Sequence, residues 1–345
     1  MNTVENSIFT KKSKMNKSNL LFTFLIIVFI LFFLIHLNGG NFNFQLTDLL
    51  NTIFDYSPEN QEHIIIKELR IPRTLTGIIA GISLSIAGLL MQTYFNNPLA
   101  GPSILGISTG SSLFVAIAIM VGGTFFSTSY GLISAAIIGA IIFSLIILIF
   151  SKIVKSPISL LIIGVMLSSF TSSFIQLIQI SADPNALKTF TIWGFGSIQQ
   201  VTSDQLPLLS SCFIATLLSL AMIIKPLNLL VLGEKNAQYL GIKTKQIRIL
   251  IIAITAIFTG LTTSYCGPIS FIGLAIPNLV KLIFKTQNHS KLIIGCALVG
   301  GSVMLICDLL IYWLEPFIIV PLNSITAIFG APIVIWILLR KKIHA

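Results

Sequence analysis

Stretches of about twenty apolar residues, the length a helix rising 1.5 Å per residue needs to cross the hydrocarbon of a bilayer, recur along the whole chain. Ten are found, at 19–38, 74–95, 104–122, 131–151, 158–181, 206–224, 247–266, 269–285, 291–312 and 323–339. The eighth is short and holds Pro277. With 55% hydrophobic residues and a mean hydropathy of +0.96 over 345 residues, the chain carries more apolar surface than one soluble core can bury. Backbone groups in lipid must bond internally, and the ten-residue alternation of a barrel is absent, so the expected fold is an all-α polytopic membrane protein. Residues 1–345 read as one transmembrane domain. The first span follows Lys11, Lys12, Lys14 and Lys17, but it is too long for a signal peptide and no small-residue cleavage site follows His36-Leu37-Asn38-Gly39-Gly40; a retained helix is expected.

Charge sets the orientation. With the N-terminus inside and ten crossings, the inner segments hold Lys11, Lys12, Lys14, Lys17, Lys152, Lys155, Lys225, Lys235, Lys243, Lys245, Arg248, Lys281, Lys285, Lys291, Arg340, Lys341 and Lys342. Only Lys67, Arg70, Arg73 and Lys188 fall outside, along with Asp48, Asp55, Glu59, Glu62, Glu68, Asp183, Asp204 and Glu315. That bias predicts both termini in the cytoplasm, with a cytoplasmic N-terminal segment at 1–18. The net charge of +10 would point to nucleic acid in a soluble protein; here the basic residues flank apolar runs, so the partner they imply is membrane lipid and not nucleic acid.

One inner segment, 225–246, stands out. From Leu232 to Arg248 it carries Glu234, Lys235, Lys243, Lys245 and Arg248 in a chain that is only 9% charged. Its core reads as a short amphipathic helix stopped by Gly233 and Gly241, with Ala237, Leu240 and the stem of Tyr239 as an apolar patch; a solvated loop is the plainer alternative. Gly241-Ile242-Lys243-Thr244 lacks the glycine spacing of a phosphate-binding loop, and no nucleotide-binding domain is visible.

"LGEKNAQYLGI" resembles the cytoplasmic coupling loop of the vitamin B12 and iron-siderophore permease family of ABC importers. "ELRIPRTLTGIIAGISLSIAGLLMQ", "NNPLAGPSILGISTGSSL", "CGPISFIGLAIPNLVK" and "PLNSITAIFGAPIVIWILLR" match other signatures of that family in order and spacing, covering most of the chain from Glu68 to Arg340. The resemblance implies a type II ABC importer permease in the cytoplasmic membrane, with no catalytic residue and no cofactor of its own. It also implies three partners: two cytoplasmic ATP-binding subunits, a second permease copy or a homologous chain, and an extracellular substrate-binding protein. Gly233, Glu234, Ala237, Leu240 and Gly241 would then form the ATPase contact. Arg70 and Arg73, three residues apart on the side poor in basic residues, would pair with carboxylates of the binding protein; interfacial anchoring is the alternative for isolated arginines. The family's third docking arginine falls at Tyr312, its histidine and arginine after "GLxxP" at Asn278 and Lys281, and a late glycine at Asn323.

Physical reasons accompany these motifs. Gly77, Gly81, Ser85 and Gly88 recur every three or four residues, laying a small-residue stripe for close helix approach. Asn96 and Asn97 precede Pro98 and Pro102, which predicts an irregular turn at a helix junction, buried in protein or lining a cavity, with a plain connecting turn as the equal alternative; the resemblance implies a place near the inner gate. Ser169, Ser172, Ser173, Gln176 and Gln179 share one face of the fifth span, away from Phe170, Phe174 and Ile178, and suit either a translocation pathway or interhelical hydrogen bonds. Asp308 is the only carboxylate well inside a predicted span, and unpaired it would cost at least ~2.5–3.5 kcal/mol. Cys212, Cys266, Cys296 and Cys307 sit in apolar runs without metal-ligand spacing, and His63, His289 and His344 fall in polar loops or the tail, His36 near an interface; no metal site is expected. The function expected is inward transport of an iron(III)-siderophore or related chelate, with a haem or cobalamin permease as the alternative. A proton- or sodium-coupled carrier would need more titratable groups at membrane depth than Asp308 alone supplies.

Overall fold

The computed structural model describes residues 2–39, 52, 56–57, 59–122, 128–154 and 156–343, and for 2–17, 338 and 340–343 the backbone path alone. Asp48, Asp55 and Lys155 of the charge map, and His344 of the tail, lie outside these residues. Among the described residues there is helix and no strand. The main helices are α1 (Asn2–Asn38), α2 (Gln61–Tyr94), α3 (Ile107–Met120), α4 (Ser129–Ile153), α5 (Pro157–Ile180), α6 (Pro184–Gly194), α7 (Leu206–Ala221), α8 (Ile224–Leu230), α9 (Glu234–Tyr239), α10 (Thr244–Cys266), α11 (Ile272–Phe284), α12 (His289–Leu314) and α13 (Leu322–Ile343).

Each of the ten apolar runs is a helix. Six are long enough to span by themselves, α7 and α8 make a seventh bent by 53°, and α3, α11 and the Leu322–Ile337 part of α13 are shorter apolar helices. The short ones have a cause. Irregular backbone at 95–106 delays the start of α3, and that at 267–271 delays α11, so α11 rises only about 20 Å of the roughly 30 Å hydrocarbon. Ala100, Gly101 and Pro102 are buried, with Pro102 against Gly273, so this broken backbone is enclosed by protein as lipid requires.

At the centre lies α2, with 83% of its most apolar window buried against 11% for α1. It begins well before the predicted position 74, because Ile66–Arg70 form a π-turn that carries the helix through Pro72. Proline lacks an N–H and clashes with the carbonyl four residues back; the wider turn, with Ile71 N–H bonded to Ile66 O, relieves both problems. The small-residue stripe packs as expected: a Cβ on Gly81 would fall on Gly300 O of α12, and one on Gly88 on Gly273 of α11.

Side-chain pairs fix which helix ends share a side. Lys291 donates to Ser18 at 3.2 Å and His36 meets Asp308 at 2.8 Å, so α1 and α12 run parallel. Thr93 contacts His289 at 2.8 Å at the opposite end of α2 from Thr74, so α2 is antiparallel to both. His289, expected in a polar loop, is instead 1% exposed, because Asn288 caps α12 at that point and Asn228 receives the His289 N–H at 2.7 Å.

Candidate functional site

Three places carry the candidate side chains: an inner corner around α9, one face of α5, and an outer corner where α1, α2 and α12 meet.

The inner corner is built by glycine. Gly233 (φ +98°) and Gly241 (φ +85°) take left-handed conformations that L side chains rarely adopt, and they turn the chain into and out of α9. Ala237 faces inward at 0% exposed, whereas Tyr239 and Leu240 are 88% and 58% exposed. The expected patch is therefore corrected: Ala237 seats the helix on the body, and Tyr239 and Leu240, with Leu232, are the apolar side chains left exposed beside it. The 6→1 bond from Ile242 N–H to Ala237 O, with the inner bond from Gly241 N–H to Gln238 O, closes its end. Beside α9 opens a cleft of about 620 Å³ lined by Gln92, Asn96, Asn97, Glu234, Arg248 and Lys281, among others. Arg248 reaches Val154 O at 3.1 Å and Glu234 at 3.7 Å, and stands over the Tyr94 ring at 5.6 Å; it joins α9 to the end of α4. Asn96 holds a left-handed backbone (φ +46°), and the Asn97 side-chain oxygen accepts from Leu99 N–H at 2.9 Å. Asn278 ties this turn to α11 by donating to Pro98 O at 2.7 Å, and Lys281 donates to Gln92 at 3.0 Å.

On α5, three faces separate. Leu160, Gly164, Thr171 and Ile175 are buried; Phe170, Phe174 and Leu177 form an exposed apolar face; Ser169, Ser173 and Gln176 are exposed between them, with Ser172 and Gln179 half-buried at the edge. Ser169 and Ser173 donate to Val165 O and Ser169 O of their own helix, at 3.1 Å each, so the stripe is not a set of bonds to neighbouring helices. Ser156, Pro157 and Ile158 at the start of α5 line the inner cleft, while Ser169 lies about 16 Å further along at 1.5 Å per residue. Asn96 and Asn97 thus line one cleft with Gly233 and Glu234, apart from the α5 stripe.

At the outer corner the two arginines differ from expectation. Neither is an open fork: Arg70 and Arg73 are 6% and 9% exposed. Arg73 donates twice to Asp308, Nε to Oδ2 at 2.6 Å and Nη2 to Oδ1 at 3.0 Å, with its guanidinium 3.7 Å above the Tyr312 ring. His36 completes the carboxylate, with Nε2 2.8 Å from Oδ2 and Nδ1 2.8 Å from Thr74 Oγ1. Gln199, with its amide oxygen turned to the guanidinium, accepts from Arg73 Nη2 at 2.6 Å. Arg70 donates to Tyr312 Oη at 2.7 Å. Asp308 is thereby paired, at 1% exposure, by residues on two other helices. A bidentate fork is the arrangement that best offsets the desolvation of a buried carboxylate.

This architecture has known counterparts. The FecCD transport family model matches residues 26–340. The chain belongs to the FecCD transport family. Among curated relatives, the hemin transport system permease protein HmuU of Yersinia pestis is 30% identical over 322 residues, covering 92% of this chain and 96% of its own. The vitamin B12 import system permease protein BtuC of Escherichia coli O9:H4 (strain HS) is 34% identical over 283 residues, covering 81% and 85%. A solved ABC transporter of metal-chelate type, in an inward-facing conformation, superposes with a TM-score of 0.82 at 27% identity, covering 93% of this chain and 99% of that one.

As a FecCD permease the chain is a multi-pass membrane component of a transport system. Sequence reasoning about this FecCD chain missed the parts of four residues: His36 and Gln199 at the outer corner, Arg248 as a bridge at the inner one, and Asn323 away from both, at the broken backbone of 267–271. Asn323 donates to Pro268 O at 2.6 Å and Gly194 O at 3.1 Å and accepts from Ser270 N–H at 2.9 Å. Where the family carries glycine, this side chain satisfies backbone of the 267–271 run. The departure from the family pattern was the available signal, and it marks a structural substitution.

Proposed function

We propose that the chain carries an iron(III)-siderophore, or a related iron chelate, inward across the cytoplasmic membrane by alternating access, with ATP hydrolysed on two separate cytoplasmic subunits. The observation that carries this is α9, a short helix at the inner corner that leaves Tyr239 and Leu240 exposed beside a charged cleft in an otherwise apolar chain. Apolar side chains held out on a rigid, glycine-bounded helix suit a protein groove better than they suit water. Closure of the ATPases would move Gly233–Gly241 and rock the helices around a central path.

The path reading rests on α5, whose exposed Ser169, Ser173 and Gln176 offer neutral polar groups in the outer half of the helix, with Ser172 and Gln179 beside them. Hydroxyls and amides let a hydrophilic chelate pass without holding it, while Asn96 and Asn97 would line its exit. The apolar face of α5 and the outward side of α13, with Phe329 and Trp336 exposed, suit a second copy of this chain or a homologous one. At the outer corner Arg70 and Arg73 would receive acidic groups of the substrate-binding protein. The names of the relatives favour a second reading, haem or cobalamin as cargo.

The test is uptake into vesicles holding the assembled transporter, with ATP retained and the proton gradient collapsed, offering labelled ferric siderophore, haem and cobalamin in turn. Uptake of the siderophore alone is expected. Preference for haem or cobalamin would replace the cargo, and loss of all uptake on collapsing the gradient would replace the energy source.

A further inference from the structure

We propose that Asn323 is a clasp that docks the short outer helix α6 onto the start of α13 and onto the broken backbone before α11, and that α6 leaves the outer mouth of the α5 path only when this clasp opens. The transport half of this rests on the path reading above.

Two anchors stand out on α6. The helix follows the outer end of α5 after a turn at 181–183, and Leu187, Lys188 and Ile192 along it, with Phe195 just past its end, are exposed. One anchor is apolar: Trp193, buried, packs with Val115 of α3 and Ala136 of α4. The other is polar and gathers at the C-terminal end, where the last carbonyls of a helix have no partner within it.

Asn323 supplies those partners. Its backbone N–H, in the first turn of α13, donates to Phe195 O at 3.1 Å, and its side-chain Nδ2 donates to Gly194 O at 3.1 Å. The same Nδ2 donates to Pro268 O at 2.6 Å, and Oδ1 accepts from Ser270 N–H at 2.9 Å. The carboxamide thus uses both its donors and its acceptor across two other segments, and the negative end of α6 meets the positive end of α13. Beside it Ser197 N–H donates to Cys266 O at 2.8 Å, a bond in which Asn323 takes no part. The segments approach closely, because Gly196 and Gly267 hold φ of +71° and +72° and a Cβ on Gly267 would fall 2.5 Å from Trp193 O.

Two features make this a clasp that can open. Its bonds are all neutral, unlike the Arg73–Asp308 fork, whose separation would leave a buried charge. Asn323 is also only half-buried and Ser270 is exposed, so the groups it joins are not sealed in the core. Glycine, which the family pattern carries at this position, would keep the backbone bond to Phe195 and lose the three made by the side chain. The clasp is therefore a feature of this chain and not of the pattern.

The test uses the full chain in the assembled transporter in nanodiscs. Hydrogen exchange is followed in peptides that resolve Ser197 and Ser270, and uptake per ATP hydrolysed is measured with whichever of labelled ferric siderophore, haem and cobalamin the wild type carries. Asn323→Gly and Asn323→Ala are both expected to speed exchange at Ser197 at least about tenfold, although its own bond is untouched, with exchange in α12 unchanged. Alanine removes the carboxamide without the backbone freedom of glycine, so agreement between the two assigns the effect to the side chain. Uptake per ATP is expected to fall at least about threefold in both. Faster exchange at Ser270 alone would make Asn323 a local ligand of the backbone and overturn the clasp. Fast exchange at Ser197 with wild-type uptake would overturn the transport half. Failure of the path reading looks different: Ser173→Trp, which obstructs that path, would leave uptake intact, while exchange at Ser197 still decides the clasp.

Discussion

A single carboxylate organises the outer corner. Asp308 meets His36 across 272 positions of sequence and Arg73 across 235, and none of the three is more than 9% exposed. Removing one member of such a pair leaves a buried charge. Asp308→Ala should therefore cost about 3–5 kcal/mol and lower the melting temperature of the purified chain, while His36→Gln, which removes one of three contacts to the carboxylate, should cost clearly less. Equal losses would argue that the cluster is solvated in the membrane. The sequence announced that Asp308 needed a partner, since an ion at that depth is too costly alone. It could not name the partner, because nothing local links positions so far apart.

At the scale of the element, backbone and small residues decide. The glycine face of α2 was legible because its spacing of three and four follows from helical geometry. Gly81→Leu would push a side chain into Gly300 of α12; overpacking of about 1–3 kcal/mol or more should show as reduced membrane abundance, and retained abundance would mean that the two helices separate readily. α9 was legible from its glycine stops, but which side faces out was not, as a six-residue helix has too few positions to define a stripe. With Ala237 inside, the exposed pair should carry the coupling: Tyr239→Ser with Leu240→Ser is expected to lower uptake per ATP hydrolysed severalfold at unchanged abundance. Ala237→Glu should act differently, loosening the helix from the body and reducing abundance itself. The π-turn before Pro72 was invisible, since a helix register widened by one residue leaves no trace in composition.

For the whole molecule, charge and hydropathy gave ten spans and one orientation, and the fold agrees with both. Lys291 beside Ser18 and Arg248 beside Val154 lie at the basic end, Asp308 and Glu68 at the other. A cysteine placed at Tyr239 should react with a membrane-impermeant thiol reagent only from the cytoplasm, and one at Trp313, 66% exposed, only from outside. The reverse pattern would invert the topology. Apolar length and basic flanks settle what crosses and which way it faces, because the bilayer acts on each segment separately; that much the sequence determined by itself, together with the family its motifs resemble. The tertiary structure alone decided that Arg73 turns inward to Asp308 and Arg70 to Tyr312, that Ala237 is an anchor, that Asn323 binds the broken backbone at 267–271, and that the Ser169 and Ser173 hydroxyls bond within their own helix. Each depends on groups distant in sequence and adjacent in space, and only packing supplies that adjacency.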